Sequence, residues 1–281
     1  MLSVNNWWSA VFVYLGVAKS AKIHFKDGEE FSLTKSNLSQ FIIQVELATL
    51  PAGIKKYLKI KGKKVVLSMK NVHLNLSREA AGQIAGEFYY NWHNLVDVKG
   101  RDVLDVGAYV GDSTLYFVLA GRASHVYGFE PYKYYFDLAK KAVRDNNLGR
   151  KITMFRYAVG GRDSYGFINE ESDDFMVDSS ASSGSKKVKL VSLDTIAKRL
   201  NLKHAALKVD CEGCERSMIN NASSSTLKRF DAIHIEYHYG YRDMVERLRR
   251  EGYRVSYTKP SYTFKGISTK PMVMGDITAT R

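Results

Sequence analysis

The sequence predicts an α/β protein built on a Rossmann-like, open and mostly parallel sheet with helices on both faces. From Arg101 onward, short apolar runs alternate with helix-length segments, the pattern of βα units wound into a parallel sheet. Within that alternation, residues 103–117, VLDVGAYVGDSTLYF, read as a strand, a glycine turn and a helix start. A second strand, HVYGFE over 125–130, ends on an acid about 20 residues past that turn, where such folds hold a ribose diol.

The first 95 residues form an accessory region ahead of a main domain over 96–281. Residues 7–17 can form a helix, with Trp8, Phe12 and Leu15 near one face. Residues 23–33, IHFKDGEEFSL, alternate apolar and polar side chains around Asp27-Gly28, a hairpin signal. A helix over 38–50 is stopped by Pro51. Strands follow over 65–69 and 72–76, then a helix over 80–92 that leads into the main domain. Its aromatics, Phe88, Tyr89, Tyr90 and Trp92, read as core. Covering a cofactor, selecting an acceptor and making a dimer contact are all open roles for this region, so a homo-oligomer is one expectation.

In the main domain, strand one ends at Asp105 and its helix covers 112–120. Strand two ends at Glu130 and its helix covers 132–146. Strand three covers 152–158. Residues 164–187 break the alternation: a short strand over 165–168, then a serine-rich stretch (Ser179, Ser180, Ser182, Ser183, Ser185) too long for a routine connector. It reads equally as a lid or as a surface excursion. A strand over 187–191 and a helix over 192–200 resume the pattern. Strand four covers 207–210, with Glu212 starting a helix. Strand five is 233–237, followed by a helix over 241–251. Residues 253–257 and 272–277 supply two last strands.

The glycine turn narrows the ligand. A dinucleotide fingerprint is G-x-G-x-x-G, with pyrophosphate on a helix N-terminus. Here the spacing is D-x-G-x-x-x-G, and Asp105 at the strand end would repel a pyrophosphate. It suits a ligand with an ammonium group, such as S-adenosylmethionine, which also carries a sulfonium and no phosphate. Gly107 and Gly111 let such a ligand lie close to the backbone. Ala108, Asp112 and Ser113 complete the turn, the last two being good helix N-caps. Glu130, followed by Pro131, can accept hydrogen bonds from both ribose hydroxyls. The plain alternative is an ordinary βαβ unit with surface acids.

The blocks VLDVGAYVGDS, VYGFEP, YAVGG, LVSLDTI, LKVDCEGCE and IHIEYH, in that order over about 96–257, resemble the FkbM-type methyltransferases. The resemblance implies S-adenosylmethionine dependence and a class I, seven-stranded sheet closed by an antiparallel pair. It places an adenine contact near the end of strand three, at Ala158. It also implies a sugar or another polyhydroxylated metabolite as methyl acceptor.

Two strand ends converge on the acceptor side. One carries Asp210 and the other carries His234, Glu236 and His238, which alternate and so share a face. Methyl transfer to an alcohol needs alignment and removal of a proton. His238 is the candidate base, since imidazole titrates near neutrality. Glu236 could orient it or bind the acceptor, and Asp210 could orient acceptor or cofactor. No D/N-P-P-Y/F loop of amino-group methyltransferases follows Asp210, which favours an oxygen acceptor. A variant reading has Asp210, Glu236 and His238 holding a divalent metal with a diol; the main reading assigns no metal.

A net charge of +13 is compatible with nucleic acid, so an RNA methyltransferase is kept as an alternative, as is a non-catalytic cofactor-binding protein. The lysines at 55, 56, 59, 61, 63 and 64 fit a solvated face equally well. Two cysteines, Cys211 and Cys214, exclude a disulfide scaffold and fall short of a four-cysteine zinc site. Under the resemblance they read as small residues at a strand-to-helix turn. The apolar stretch from Trp7 to Ala18 is shorter than the roughly 20 residues of a membrane span, and no basic segment precedes it as in a signal peptide. The expectation is a cytoplasmic protein without a transmembrane segment, with peripheral membrane contact open.

Overall fold

In the computed structural model, which describes residues 4–26, 28–169, 185–263 and 272–281, the chain before Arg101 contributes α1 (Trp7–Tyr14), β1 (Ser20–His24), β2 (Glu30–Thr34), α2 (Leu38–Thr49), α3 (Ala52–Lys55), β3 (Leu58–Lys61), β4 (Lys64–Met69), β5 (Val72–Ser77) and α4 (Arg78–Tyr90). β1 and β2 form the predicted hairpin, with Ile23 opposite Phe31; its turn residue Asp27 lies outside the described residues. Pro51 ends α2 by forcing Leu50 into an extended conformation (ψ 139°). The strand β3, which the sequence reading missed, pairs antiparallel with β4, and β4 with β5. Asn91, in the left-handed region at φ 57°, terminates α4. Of the four aromatics read as core there, Phe88 is buried, whereas Tyr89, Tyr90 and Trp92 are exposed.

The rest comprises β6 (Asp102–Val106), α5 (Asp112–Leu119), β7 (His125–Phe129), α6 (Lys133–Asp145), β8 (Ile152–Phe155), β9 (Ala158–Gly160), β10 (Ser164–Ile168), β11 (Lys186–Ser192), α7 (Leu193–Arg199), β12 (Ala205–Val209), α8 (Glu215–Asn221), α9 (Ser224–Leu227), β13 (Phe230–Tyr237), α10 (Arg242–Arg250), β14 (Arg254–Tyr257), β15 (Ser261–Thr263) and β16 (Met272–Thr280). The main sheet runs β14-β16-β13-β12-β6-β7-β8, with β15 added alongside β16. β13, β12, β6, β7 and β8 are parallel, and β16 lies antiparallel between β13 and β14. This is the arrangement that the resemblance implies, a mostly parallel sheet closed by an antiparallel pair.

Strand three ends earlier than predicted. β8 stops at Phe155, and β9 leaves the large sheet to pair in parallel with β11. β7 ends at Phe129, and Pro131 has no N–H with which to extend the ladder. The predicted serine-rich stretch lies outside the described residues apart from Ser185.

Side-chain alternation along β6 splits the core between the two faces of the sheet. Val103 packs with Ile84, Leu115, Val126 and Leu138, and that cluster continues without a break into Leu47, Leu67 and Leu74 of the N-terminal region. Leu104 and Val106 face the other way, onto Ile196, Leu207, Met218 and Leu248. Asp105 therefore shares the face of Val103 and points toward the α4–α5 side.

Candidate active site

The carboxyl ends of β6, β7, β12 and β13 meet at a cavity of about 620 Å³. Gly107 leaves β6 at φ +77°, and a Cβ there would lie 1.6 Å from the carbonyl oxygen of Asp210. No side chain fits between these two strand ends. Gly111, at φ +88°, is the residue that caps α5. Asp112 and Ser113, read as caps from the sequence, instead lie inside the first turn, because only glycine takes the left-handed geometry without strain.

Asp105 is fully buried and does not line the cavity. It accepts hydrogen bonds from Ser113 Oγ (2.8 Å) and Thr114 Oγ1 (2.5 Å). Its other oxygen lies 3.3 Å from Lys208 Nζ. Asp105, expected to meet a ligand ammonium, thus anchors the glycine turn. Ser113 is spent on the same anchor, and Ala108 and Gly111 likewise lie behind the cavity wall.

Lys208, which the sequence reading passed over, is the partner. It sits opposite Asp105 in the β6–β12 register, and its ammonium also donates to the Gly107 carbonyl (2.6 Å). Asp210 lies 3.8 Å away. Burial opposes charge on Lys208, but Asp105, Asp210 and Asp112 outweigh it and hold the pKa above the ordinary lysine value. The signal in the sequence was a lysine between Leu207 and Val209, in a strand otherwise apolar on both faces.

Gly107, Asp112, Glu130, Pro131, Ala158, Asp210 and Glu236, all expected at the site, line the cavity. Each oxygen of Glu130 accepts one backbone amide, from Tyr109 N (2.9 Å) and Tyr132 N (2.8 Å). Burial pushes its pKa up to about 8 against those two donors. Tyr109 itself stands at φ +45°, in the turn that Glu130 braces.

On the acceptor side, His238 is buried and off the cavity wall. Its Nδ1 lies 2.9 Å from Glu215 Oε1, and its Nε2 is 3.8 Å from Glu212 and 3.9 Å from Asp210. Burial opposes the imidazolium, but the Glu215 bond and charge, with Glu212 and Asp210, raise its pKa to about 9. These acids favour the protonated imidazole, and His238 acts here as a partner of the loop. Glu236 takes a different position: it lines the cavity with no hydrogen bond among the described residues, and burial, then Asp210, raise it to about 7. His234 and Asp276 stand beside it on the wall, joined at 3.0 Å.

The loop between β12 and α8 differs from expectation. The helix starts at Glu215 rather than Glu212, since Glu212 (φ +57°) and Gly213 (φ +128°) turn the chain away from helical geometry. Glu215 accepts from the amides of Cys211 (3.2 Å) and Gly213 (3.1 Å). Cys211 and Cys214, expected as small turn residues, are joined by a disulfide at the cavity edge.

The opposite end of the cavity draws on the segment before β6. Glu87, fully buried on α4, binds both the amide of His93 (3.2 Å) and its Nδ1 (2.8 Å). Burial opposes charge on His93, but Glu87 raises its pKa above the usual imidazole value. Asp112 faces this pair with no hydrogen bond of its own among the described residues, and burial raises it to about 6. Glu87, His93 and Asp112 bring ligand atoms within 4.8 Å of one another, the one such group among the described residues. The trio Asp210, Glu236 and His238 does not converge that closely.

A family model described as the methyltransferase FkbM domain matches residues 105–255. No curated protein matches the sequence. The structure is similar to the FkbM methyltransferase from Methylobacillus flagellatus at 12% identity and TM-score 0.43, covering 86% of this chain and 58% of that one. It is similar to the METTL16 methyltransferase domain at 15% identity and TM-score 0.43, covering 84% and 91%. For TYW2 from P. horikoshii, in complex with MeSAdo, the identity is 11% and the TM-score 0.42, covering 98% and 83%.

Proposed function

The chain belongs to the FkbM methyltransferase family, and from that premise we propose that it transfers a methyl group from S-adenosylmethionine to a hydroxyl of a sugar or another polyhydroxylated metabolite. The observation that carries the reading is the cavity itself, which has a carboxylate placed to accept a diol, Glu130, at one point of its wall and, at another, Glu236, which has no hydrogen bond among the described residues. Glu130 keeps acceptor capacity on both oxygens for ribose hydroxyls. Pro131 and Ala158 line the cavity near it. Gly107 lets the ends of β6 and β12 close against each other beside the cavity. Asp112 and Asp210 supply negative charge for the ammonium and sulfonium, and His93, shifted toward its charged form by Glu87, suits the carboxylate.

The cofactor supplies a methyl carbon activated by positively charged sulfur. Glu236 would take the hydroxyl proton of an acceptor held in line with that methyl carbon. Lys208 and Asp105 fix the turn, and the His238–Glu215 pair fixes the loop carrying Asp210. No divalent metal is part of this reading. Residues 96–281 act as the methyltransferase domain. Residues 1–95 act as an accessory region whose last part, with Gln83, Trp92 and His93, closes one side of the cavity. A cytoplasmic enzyme is proposed; no described helix is long and apolar enough to cross a membrane.

Calorimetric titration with S-adenosylmethionine and S-adenosylhomocysteine, with NAD as control, tests the cofactor. Micromolar binding of the first two alone supports it. Labelled methyl transfer to a panel of glycans and polyols then tests the acceptor, and transfer to nitrogen or carbon overturns the hydroxyl. An RNA acceptor is the second reading, motivated by the +13 charge. It requires RNA binding that weakens steeply with salt.

A further inference from the structure

The end of the molecule formed by α1 carries an apolar surface that nothing in the described structure covers. Trp7, Trp8, Phe12 and Tyr14 are 47–50% exposed, and Leu15 and Val17, just after the helix, are 65% and 73% exposed. Val13 alone in this helix is buried, seated on Val4, Ile23, Phe25 and Leu33 of the β1–β2 layer. No charged side chain occurs between Met1 and Lys19. A soluble surface scatters exposed apolar residues singly; a contiguous aromatic and aliphatic patch marks a docking face.

The surroundings say what docks. The β1–β2 hairpin beneath α1 abuts the β3–β4 turn: a Cβ on Gly62 would lie 4.0 Å from Glu29 Oε1, and the Arg78 amide donates to the Lys63 carbonyl (2.9 Å) while its guanidinium lies 5.8 Å from the Phe25 ring. That turn and the strand β3 leading into it expose Lys59, Lys61, Lys63 and Lys64. The first 70 residues hold eleven lysines and no arginine against four acids, a net +7 of the chain's +13. One of those acids, Glu30, is already paired with Lys22 at 2.5 Å.

We propose that this end of the protein binds an anionic lipid surface, with α1 lying in the headgroup layer and the lysine-bearing turn held over it. An eight-residue helix is about 12 Å long and cannot span a bilayer, but it can lie in one leaflet. Tryptophan and tyrosine favour the membrane–water boundary, and lysines near the surface are attracted to anionic headgroups. The aliphatic residues Val11, Leu15 and Val17 among the aromatics favour lipid over stacked bases. The absence of charge on the helix leaves nothing there to meet phosphates of RNA. The inference is independent of the methyl acceptor.

The test is co-sedimentation with vesicles of phosphatidylcholine alone and of phosphatidylcholine mixed with phosphatidylglycerol, using the full chain. Expected is binding to the mixed vesicles that is about tenfold stronger than to the neutral ones and weakens with salt. The double variant Trp8→Ser/Phe12→Ser and the double variant Lys61→Glu/Lys63→Glu should each lose about tenfold in that binding. Both pairs are exposed, so circular dichroism melting should match the parent and separates lost docking from lost folding. Failure to sediment with mixed vesicles overturns the proposal. So does equal binding by parent and both variants. A parent that is dimeric by light scattering and becomes monomeric in Trp8→Ser/Phe12→Ser would assign the face to a second copy instead. Tight RNA binding lost in the same variants would assign it to nucleic acid.

Discussion

The carboxylate of Glu215 sits 2.9 Å from Nδ1 of His238, in a buried contact that ties the β12–α8 loop to the end of β13. The same oxygen accepts the amides of Cys211 and Gly213. One buried acid therefore organises the whole turn that carries Asp210, and its counter-charge is an imidazolium supplied by the neighbouring strand. The pair acts on the site through position, because neither member lines the cavity.

That pairing predicts a pH window for stability. His238 has a folded pKa raised to about 9, so its contribution is complete below the unfolded value near 6.5 and is lost as pH rises through 9. Glu215 is depressed: burial opposes its charge, but the His238 bond and charge prevail, so its contribution is present above about 4.5 and is lost as pH falls. Denaturant unfolding across pH 5–10 should show the alkaline decline, and Glu215→Gln should remove most of it. Nitrogen NMR of His238 should give a titration near 9 in the parent and a much lower one in Glu215→Gln. A parent His238 that titrates near 6.5 would break the argument.

Gly107→Ala should destroy the site from a position with no functional group. The new methyl would overlap the Asp210 carbonyl at 1.6 Å and sit at φ +77°. The strand ends must part, at an expected destabilisation of about 2–3 kcal/mol or more, and cofactor affinity should fall beyond measurement. Gly100→Ala, also at positive φ (+70°) but with open space around its Cβ position, serves as the control and should keep affinity. Equal cofactor affinity in Gly107→Ala and the parent would contradict this geometry.

The main strand–turn–helix unit was legible because local alternation and glycine spacing encode it directly; the closing of the sheet by an antiparallel pair came from the family resemblance. Asp105 shows where that legibility stops. Its position at the strand end is plain in the sequence, but its direction depends on β12 delivering Lys208 opposite it, a pairing across roughly a hundred residues. His238 shows the same limit: the alternation of His234, Glu236 and His238 is plain, but its buried partner Glu215 arrives from another element, which no local pattern announces. Glu87 and His93 left no motif at all. His93 lines the cavity with Glu87 buried behind it, an arrangement that depends on α4 packing against α5.

Lys208→Met should be costly despite preserving shape. It removes the cation facing Asp105, which is wholly buried, and leaves the Gly107 carbonyl without its donor. Breaking a buried pair by deleting one partner typically destabilises by about 3–5 kcal/mol. Adding Asp105→Asn should recover part of that loss, which a double-mutant cycle in urea would measure. Strict additivity of the two substitutions would mean that the contact contributes nothing.

Glu130 predicts how cofactor affinity depends on pH. If ribose hydroxyls bind its ionised form and its pKa in the free protein is about 8, affinity at pH 7 is reduced by the unionised fraction. Calorimetric titrations should show about a tenfold gain in affinity for S-adenosylhomocysteine between pH 7 and 9. Glu130→Gln should bind more weakly and lose this gain. A parent affinity independent of pH over that range would show that the acid is ionised throughout or does not contact the ribose.

Glu236 carries the last prediction, since a base must reach the proton it removes. It lines the cavity, has no hydrogen bond among the described residues and is raised to about 7, so it changes state where a general base is most useful. Turnover should therefore rise with pH through about 7 and level off. Glu236→Gln should lower kcat by about 10²–10⁴ and abolish that rising limb, while cofactor affinity stays within about twofold. His238→Asn provides the contrast: by loosening the loop it should weaken cofactor and acceptor binding together and leave the limb in place. If the limb disappears in His238→Asn and survives in Glu236→Gln, proton removal belongs to the histidine, and the buried Glu215 contact must open during turnover.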